Sequence, residues 1–195
     1  MKLKKGTIND LIKDTRNLMH KCKRHALTVP SILKGNIGEL MTYRELLAVF
    51  PNHEIDFKGG TNPGYDILLA NTRIQVKTNH VRRQKYALFE ECPTISRKTF
   101  DKDKCDALVL VQLYFNDDLS KINRKRSYIF NKADFGYFSK VGCWSGKSKG
   151  DYTIKRLIDF NPNAPKGTIK IVNFYGKPKY ERLFKESENN WKKLL

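Results

Sequence analysis

Long apolar runs are missing from this sequence, which has no stretch near the ~20 residues that a membrane-spanning helix needs. The first ten residues, MKLKKGTIND, are basic but lack the apolar stretch of a signal peptide. We therefore expect an intracellular, cytoplasmic protein that has no contact with a membrane.

Cysteine is also scarce, because the chain has four, at positions 22, 92, 105 and 143, and no pair has CxxC spacing. His20, Cys22 and His25 in HKCKRH could form half of a zinc site, but the second half is missing. A polar helix end with one buried thiol is the simpler interpretation. Nothing in this pattern indicates an oxidising compartment.

Acidic residues are few relative to basic ones, with 20 Asp and Glu against 38 Lys and Arg and a net charge of +18. A polyanionic partner, above all nucleic acid, is the natural inference, because each neutralised phosphate releases counterions. The basic residues occur in blocks along the chain rather than in one tail. The folded surface itself is therefore expected to be basic, although a merely soluble basic protein is the alternative.

The pattern of apolar residues predicts an α/β (α+β) fold around a mixed β-sheet flanked by helices. The 195-residue length suits one domain, or one domain with an extension. The predicted elements are a helix at 7–27 capped by Thr7, a helix at 36–50, strands at 53–57, 65–69 and 73–77, a strand at 105–115 buried on both faces, a strand at 126–130, a short helix at 131–138, a strand at 167–175 and a helix at 179–195.

Residues 65–77 read as a β-hairpin with polar residues at fixed positions. If Asn71 and Thr72 form a two-residue turn, Asp66 lies opposite Lys77 in the neighbouring strand. Two sets of side chains would then occupy opposite faces, a polar set of Asp66, Gln75 and Lys77 and an apolar set of Ile67, Ile74 and Val76.

The polar set contains the groups needed to hydrolyse a phosphodiester with a metal ion. Asp66 can supply a carboxylate, Gln75 an amide oxygen, and Lys77 a cation that holds or helps deprotonate the attacking water. A second acid is needed to bind Mg²⁺, and Glu39 is the best candidate because it lies off the apolar stripe of the preceding helix. The alternative is that these residues form the solvated face of an ordinary hairpin.

Two segments resemble the PD-(D/E)xK nuclease superfamily: GNIGE at 35–39, and YDILLANTRIQVKT at 65–78. The second segment is most similar to the intron-associated branch of homing endonucleases, which has a QxK motif. The resemblance implies a restriction-endonuclease-like core and Mg²⁺-dependent cleavage of DNA. The sequence departs from the family pattern in that Gly64 and Tyr65 separate Pro63 from Asp66, and in that Gln75 replaces the usual second acid.

The expected function is therefore Mg²⁺-dependent, site-specific cleavage of double-stranded DNA, of the type II restriction or homing type. Glu39, Asp66 and Gln75 would bind the metal and Lys77 would position the water. Cutting both strands of a symmetric site usually requires a two-fold assembly, so we expect a homo-oligomer, either a dimer or a tetramer. The alternatives are a Holliday junction resolvase and a non-catalytic DNA-binding protein with a nuclease fold.

The expected domain organisation is an N-terminal helical extension at 1–30, a nuclease core at 31–140, and a segment at 141–195 that completes the same domain. The candidates for DNA contacts are basic residues just after Lys77 and in the segment near residue 150. A histidine in a loop is usually neither a base nor a ligand. The later segment is equally consistent with a surface loop that has no function. The candidate residues are His80, Arg82, Arg83, Lys85, Lys147, Lys149 and Lys155.

Overall fold

The computed structural model describes the backbone of residues 2–59, 64–80, 82–83, 87–91, 95–96, 104–134, 151–152, 155–160 and 178–195. Side chains are described at 2–59, 64–79, 104–134, 179 and 181–195. The strand predicted at 167–175 lies outside these residues. The division into 1–30, 31–140 and 141–195 stays a prediction.

The described part of the chain has long α-helices at both ends and β-strands between them. The helices are α1 (Lys5–Arg24), α2 (Ser31–Val49) and α3 (Pro178–Ser187), with a 3₁₀-helix at Trp191–Leu194. The strands are β1 (Ile55–Phe57), β2 (Ile67–Leu69), β3 (Thr72–His80), β4 (Arg82–Arg83), β5 (Ala87–Glu91), β6 (Ile95–Ser96), β7 (Ala107–Phe115), β8 (Ile122–Asn131), β9 (Asp151–Tyr152) and β10 (Lys155–Phe160).

The main sheet has five strands in the order β1-β2-β3-β7-β8. Strands β3 and β7 are parallel, and the other neighbours are antiparallel. The predicted mixed sheet is therefore confirmed. Strand β7 has a partner on each side and is buried from Ala107 to Leu113, as its continuous apolar sequence predicted. The remaining strands form two small sheets, β10-β5-β4 and β6-β9.

Helices cover both faces of the main sheet, so the predicted α+β fold with flanking helices is confirmed. On one face, α1 and α2 contribute Ile8 and Ile37 to a core that includes Val109 of β7. On the other face, Phe184 of α3 makes edge-on ring contacts with Tyr128 of β8, at 5.1 Å between ring centroids. Within the described ranges, no helix has the length and apolar content needed to cross a membrane.

The helix boundaries differ from the predicted ones. Helix α1 starts at Lys5, and its N-cap residue Lys4 makes no side-chain capping bond, so the prediction that Thr7 caps it is wrong. Helix α2 starts at Ser31 directly after Pro30, five residues before the predicted start at 36, because the glycine at 35 is accommodated inside the helix rather than ending it. Of the predicted helix at 131–138, residues 132–134 are helical and 135–138 lie outside the described chain.

The predicted C-terminal helix is interrupted, because the chain after α3 pairs with the edge of the sheet. Glu188 forms an antiparallel bridge with Tyr128 of β8, and the Asn189 N–H donates to the Ser127 carbonyl at 2.8 Å. Asn189 has a φ of +52°, a conformation that asparagine tolerates better than most residues and that ends the helical path. Phe184 and Leu194 are buried, so docking of this segment on the body is confirmed.

An ion pair between β3 and β7 lies at the start of their parallel pairing. The Asp106 carboxylate accepts hydrogen bonds from the Arg73 Nε, a terminal guanidinium nitrogen and the Arg73 backbone N–H, each at 2.9 Å. The Asp106 N–H donates to the Arg73 carbonyl at 2.8 Å. The Arg73 hydrogen bonds hold the pKa of Asp106 well below its usual range, and Lys132 adds to this effect. The contact therefore stabilises the register of the two strands.

Replacing Asp106 by Asn should lower the free energy of unfolding at neutral pH by about 1–2 kcal/mol, since the pair is charge-assisted but partly exposed. The folded pKa of Asp106 is depressed, so its contribution is present above the unfolded pKa and is lost as the pH falls through the folded value. Urea unfolding of wild type and Asp106→Asn at neutral and acidic pH measures this. Asp117→Asn, at an exposed carboxylate, is the control and should change little.

Candidate active site

The hairpin of β2 and β3 turns one residue earlier than predicted. Ile67 pairs with Ile74 and Leu69 with Thr72, so the turn residues are Ala70 and Asn71 rather than Asn71 and Thr72. Ala70 has a φ of +49°, a conformation that a two-residue hairpin turn commonly requires. The predicted pairing of Asp66 with Lys77 is therefore wrong, and the register brings Asp66 beside Gln75.

The division of the hairpin into two faces is nevertheless confirmed for its apolar set. Moving the turn by one residue changes every cross-strand partner by two positions, and side chains alternate with a period of two. Ile67, Ile74 and Val76 consequently all point into the core. The opposite face of β3 presents Gln75 and Lys77.

Asp66 precedes β2, where its carboxylate reaches the backbone of the neighbouring strand. Its Oδ2 accepts the Val76 N–H at 2.7 Å and also a hydrogen bond from the Gln75 amide nitrogen. Both bonds use the same oxygen, which leaves Oδ1 as the atom best placed to take another ligand. Asp66 is buried, with 5% of its surface exposed. The carboxylate is thus fixed in orientation by two neighbours.

Glu39 reaches the same place from α2, which packs against β3. The pKa of Glu39 is raised to about 7, mainly by burial and in addition by the negative charge of Asp66, while the positive charge of Lys77 opposes both effects. Electrostatic effects of this kind require proximity. The fold therefore brings Glu39, Asp66 and Lys77 together from three separate elements of the sequence.

The pKa of Asp66 is also raised, and burial is again the main cause. The Val76 N–H, the Lys77 charge and the Gln75 hydrogen bond each lower it. Two carboxyl groups with raised pKa values beside a single lysine form a pocket with an excess of negative charge when both are ionised. Such a pattern is typical of functional sites.

A divalent cation fits this donor set. A cation held by Asp66 and Glu39 would offset the loss of hydration that raises both pKa values and the charge of Asp66 that raises the pKa of Glu39. Mg²⁺ in particular takes few protein oxygens and completes its coordination with water and phosphate. Gln75 would act as a ligand through its amide oxygen, whereas its amide nitrogen donates to Asp66.

No cluster of three or more His, Cys, Asp and Glu side chains suited to a metal occurs in the described chain, and the site offers two carboxylates and an amide. That set is poor for Zn²⁺, which favours nitrogen and sulfur ligands. His20, from the half zinc motif, instead makes a 2.9 Å contact through Nδ1 with the Asp118 carbonyl.

The predicted DNA contacts can be placed only in part. His80 ends β3, Arg82 and Arg83 form β4, and Lys155 begins β10, where it pairs with Glu91 of β5. The side chains of these four residues lie outside the described part of the structure, as do Lys85, Lys147 and Lys149 entirely. Their roles stay predictions.

One functional group in the site was missed by sequence reasoning, the backbone N–H of Val76. It holds the Asp66 carboxylate at 2.7 Å, but a backbone donor leaves no signal in the residue type. The signal that could have indicated it is the hairpin register, since Asp66 reaches Val76 only because the turn lies at Ala70 and Asn71.

No family model matches the chain, and no curated protein matches it. Among solved structures, the chain is similar to a bacterial homing endonuclease, I-Ssp6803I, with 13% sequence identity and a TM-score of 0.36. The similarity covers 71% of this chain and 84% of that one. A TM-score this low carries no functional argument, so any functional conclusion depends on the residues of the site itself.

Replacing Glu39 by Gln should stabilise the protein at alkaline pH in the absence of metal. The folded pKa of about 7 lies above the ordinary value of 4.5, so wild type loses stability as the pH rises through this window, whereas the amide in the variant cannot ionise. We expect Glu39→Gln to be more stable by about 1–3 kcal/mol near pH 8 and nearly equal to wild type below the unfolded pKa. Urea unfolding with a chelator present measures this difference.

Glu45→Gln, on the same helix, is the control. Its effect on the free energy of unfolding should have the opposite sign to that of Glu39→Gln. Glu45 is paired with the half-buried Lys125, so removing its charge should destabilise the protein near neutral pH. Equal stability of wild type and Glu39→Gln at alkaline pH would contradict the electrostatic description of the site.

Proposed function

We propose that this protein is a metal-dependent endonuclease that hydrolyses phosphodiester bonds at specific sites in double-stranded DNA, of the restriction or homing type. The observation that carries the proposal is the electrostatic interaction of Glu39 with both Lys77 and the buried Asp66 carboxylate. The net charge of +18 supports a polyanionic substrate, because neutralised phosphates release counterions.

Each residue has a distinct role in the proposed reaction. Asp66 and Glu39 would hold Mg²⁺, which when bound neutralises charge on the phosphate. Lys77 would hold the attacking water and assist its deprotonation, or stabilise the charge that develops in the transition state. Gln75 keeps Asp66 oriented and is a further candidate ligand. The Val76 N–H fixes the Asp66 carboxylate from the backbone side.

Cutting both strands of a symmetric site would require two such centres related by a two-fold axis, so we propose a homo-oligomer. A Holliday junction resolvase would use a similar centre and would also dimerise, but it recognises the shape of its substrate. A non-catalytic DNA-binding protein would keep the fold and the charge without cleavage. These alternatives are distinguished by which DNA substrate, if any, the protein cuts.

Purified protein incubated with plasmid DNA and Mg²⁺ should produce discrete fragments, and chelation should stop cleavage. Asp66→Ala and Lys77→Ala should each lower the cleavage rate by about 10²-fold or more, because the metal ligand or the water-positioning cation is lost. DNA binding, measured by fluorescence anisotropy, should persist in both variants.

The matched controls are Asp56→Asn and Lys58→Ala, which remove an acid and a lysine that pair with each other beside β1 at 3.3 Å. Both should cut DNA like wild type. Wild-type cleavage by Asp66→Ala or Lys77→Ala would refute the site assignment. Cleavage of a four-way junction but not of duplex would support the resolvase, and binding without any cleavage would support the non-catalytic alternative.

A further inference from the structure

Gly38 of α2 approaches Thr78 of β3 more closely than any residue with a side chain at position 38 could. A Cβ atom built on Gly38 would lie 1.8 Å from the Thr78 Oγ1 and 2.8 Å from both its Cβ and its Cγ2. Rotation of Thr78 could move the hydroxyl, but its Cβ is fixed by the strand backbone. Any side chain at position 38 must therefore push the helix away from the sheet.

Each of these two residues is the immediate neighbour of a residue in the candidate site. Gly38 precedes Glu39 in α2, and Thr78 follows Lys77 in β3. Both lie inside regular elements, so a displacement at the contact would carry the neighbouring side chain with it. The separation of Gly38 and Thr78 therefore sets how near Glu39 comes to Asp66 and Lys77.

The helix has a thermodynamic reason not to contain glycine here, because glycine in a helix interior is less favourable than alanine by about 1 kcal/mol. Gly35, one turn earlier in the same helix, has no atom within 4 Å of where its Cβ would lie. Steric exclusion therefore applies to Gly38 but not to Gly35. Within α2 this makes Gly35 a matched control for Gly38.

We propose that Gly38 and Thr78 are positioning residues that hold Glu39 at metal-binding distance from Asp66. The role rests on the proposed metal-dependent function. Oxygen ligands of Mg²⁺ lie at about 2.0–2.1 Å in a near-ideal octahedron, so the site tolerates little displacement. The 2.8 Å contact with the Thr78 Cβ cannot be relieved by side-chain rotation, and extending it to an ordinary carbon–carbon contact would require the helix to move by about 1 Å.

The test is a double-substitution cycle of wild type, Gly38→Ala, Thr78→Gly and the double variant, with Gly35→Ala as the control. The three atoms nearest to the added Cβ all belong to the Thr78 side chain, so Thr78→Gly removes the closest obstruction. Affinity for Mn²⁺ alone, read from the electron paramagnetic resonance of the free ion, is measured without DNA. Cleavage rate and urea unfolding are measured on the same variants.

Gly38→Ala should weaken Mn²⁺ binding by about tenfold or more, a loss typical of outer residues that orient metal ligands. Gly35→Ala should bind Mn²⁺ like wild type. The double variant should recover to within about threefold of Thr78→Gly, because the side chain nearest to the added methyl group is then absent. Wild-type Mn²⁺ affinity in Gly38→Ala, or a double variant no better than Gly38→Ala, would overturn the proposal.

Unfolding separates this proposal from the proposed function. The Gly38→Ala change should destabilise the wild-type background but not the Thr78→Gly background, where the helical preference of alanine is no longer opposed. If wild type binds no Mn²⁺ and cuts no DNA, the proposed function fails while this coupling still supports the steric contact. Additive effects on stability would overturn the contact whatever the activity.

Discussion

The parallel pairing of β3 with β7 is the interaction on which the rest of the structure depends. It runs from Ile74 opposite Ala107 to His80 opposite Leu113, and it places β3 inside the sheet with a partner on each edge. Strand β3 pairs with β7 along this whole length and with β2 from Thr72 to Ile74, and α2 covers one of its faces, so it has little freedom to move. The side chains of Gln75 and Lys77 are therefore presented from a rigid element, as a site with demanding geometry requires.

The candidate site is costly for the fold in which it lies. Burial raises the pKa values of both Asp66 and Glu39, the charge of Asp66 raises that of Glu39 further, and Lys77 offsets only part of this cost. Residues chosen for stability alone would not combine two partly desolvated acids with a single lysine. The surrounding structure compensates through the apolar core on the opposite face of β3 and through the Arg73–Asp106 contact at its start.

Features set by periodicity were predictable from the sequence, whereas features set by local geometry were not. The buried strand β7 followed from its continuous apolar run, and the core face containing Ile74 followed from the alternation of apolar and polar residues in the hairpin. The turn was misplaced because Ala70 takes a positive φ that its residue type does not indicate. The helix starts were missed because Lys4 and Pro30 occupy the N-cap positions without any side-chain cap.

The grouping of the candidate site residues could be predicted from the sequence, but the contacts among them could not. Asp66, Gln75 and Lys77 could be grouped because a two-residue change of partner leaves every side chain on its face. Glu39 could be proposed only as an acid without an apolar role. The Val76 N–H and the close approach of Gly38 to Thr78 depend on interatomic distances, which a single sequence does not contain.

The two edges of the main sheet affect how one copy of this chain could associate with another. On the β8 side, the segment around Glu188 and Asn189 already occupies backbone groups of Tyr128 and Ser127. On the other side, β1 is only three residues long and offers few groups to an added strand. Growth of the sheet by strand addition, the usual route to edge-to-edge aggregation, is thereby disfavoured at both ends. Within the described part of the chain, helical surfaces are then better suited to self-assembly than the edges of the main sheet.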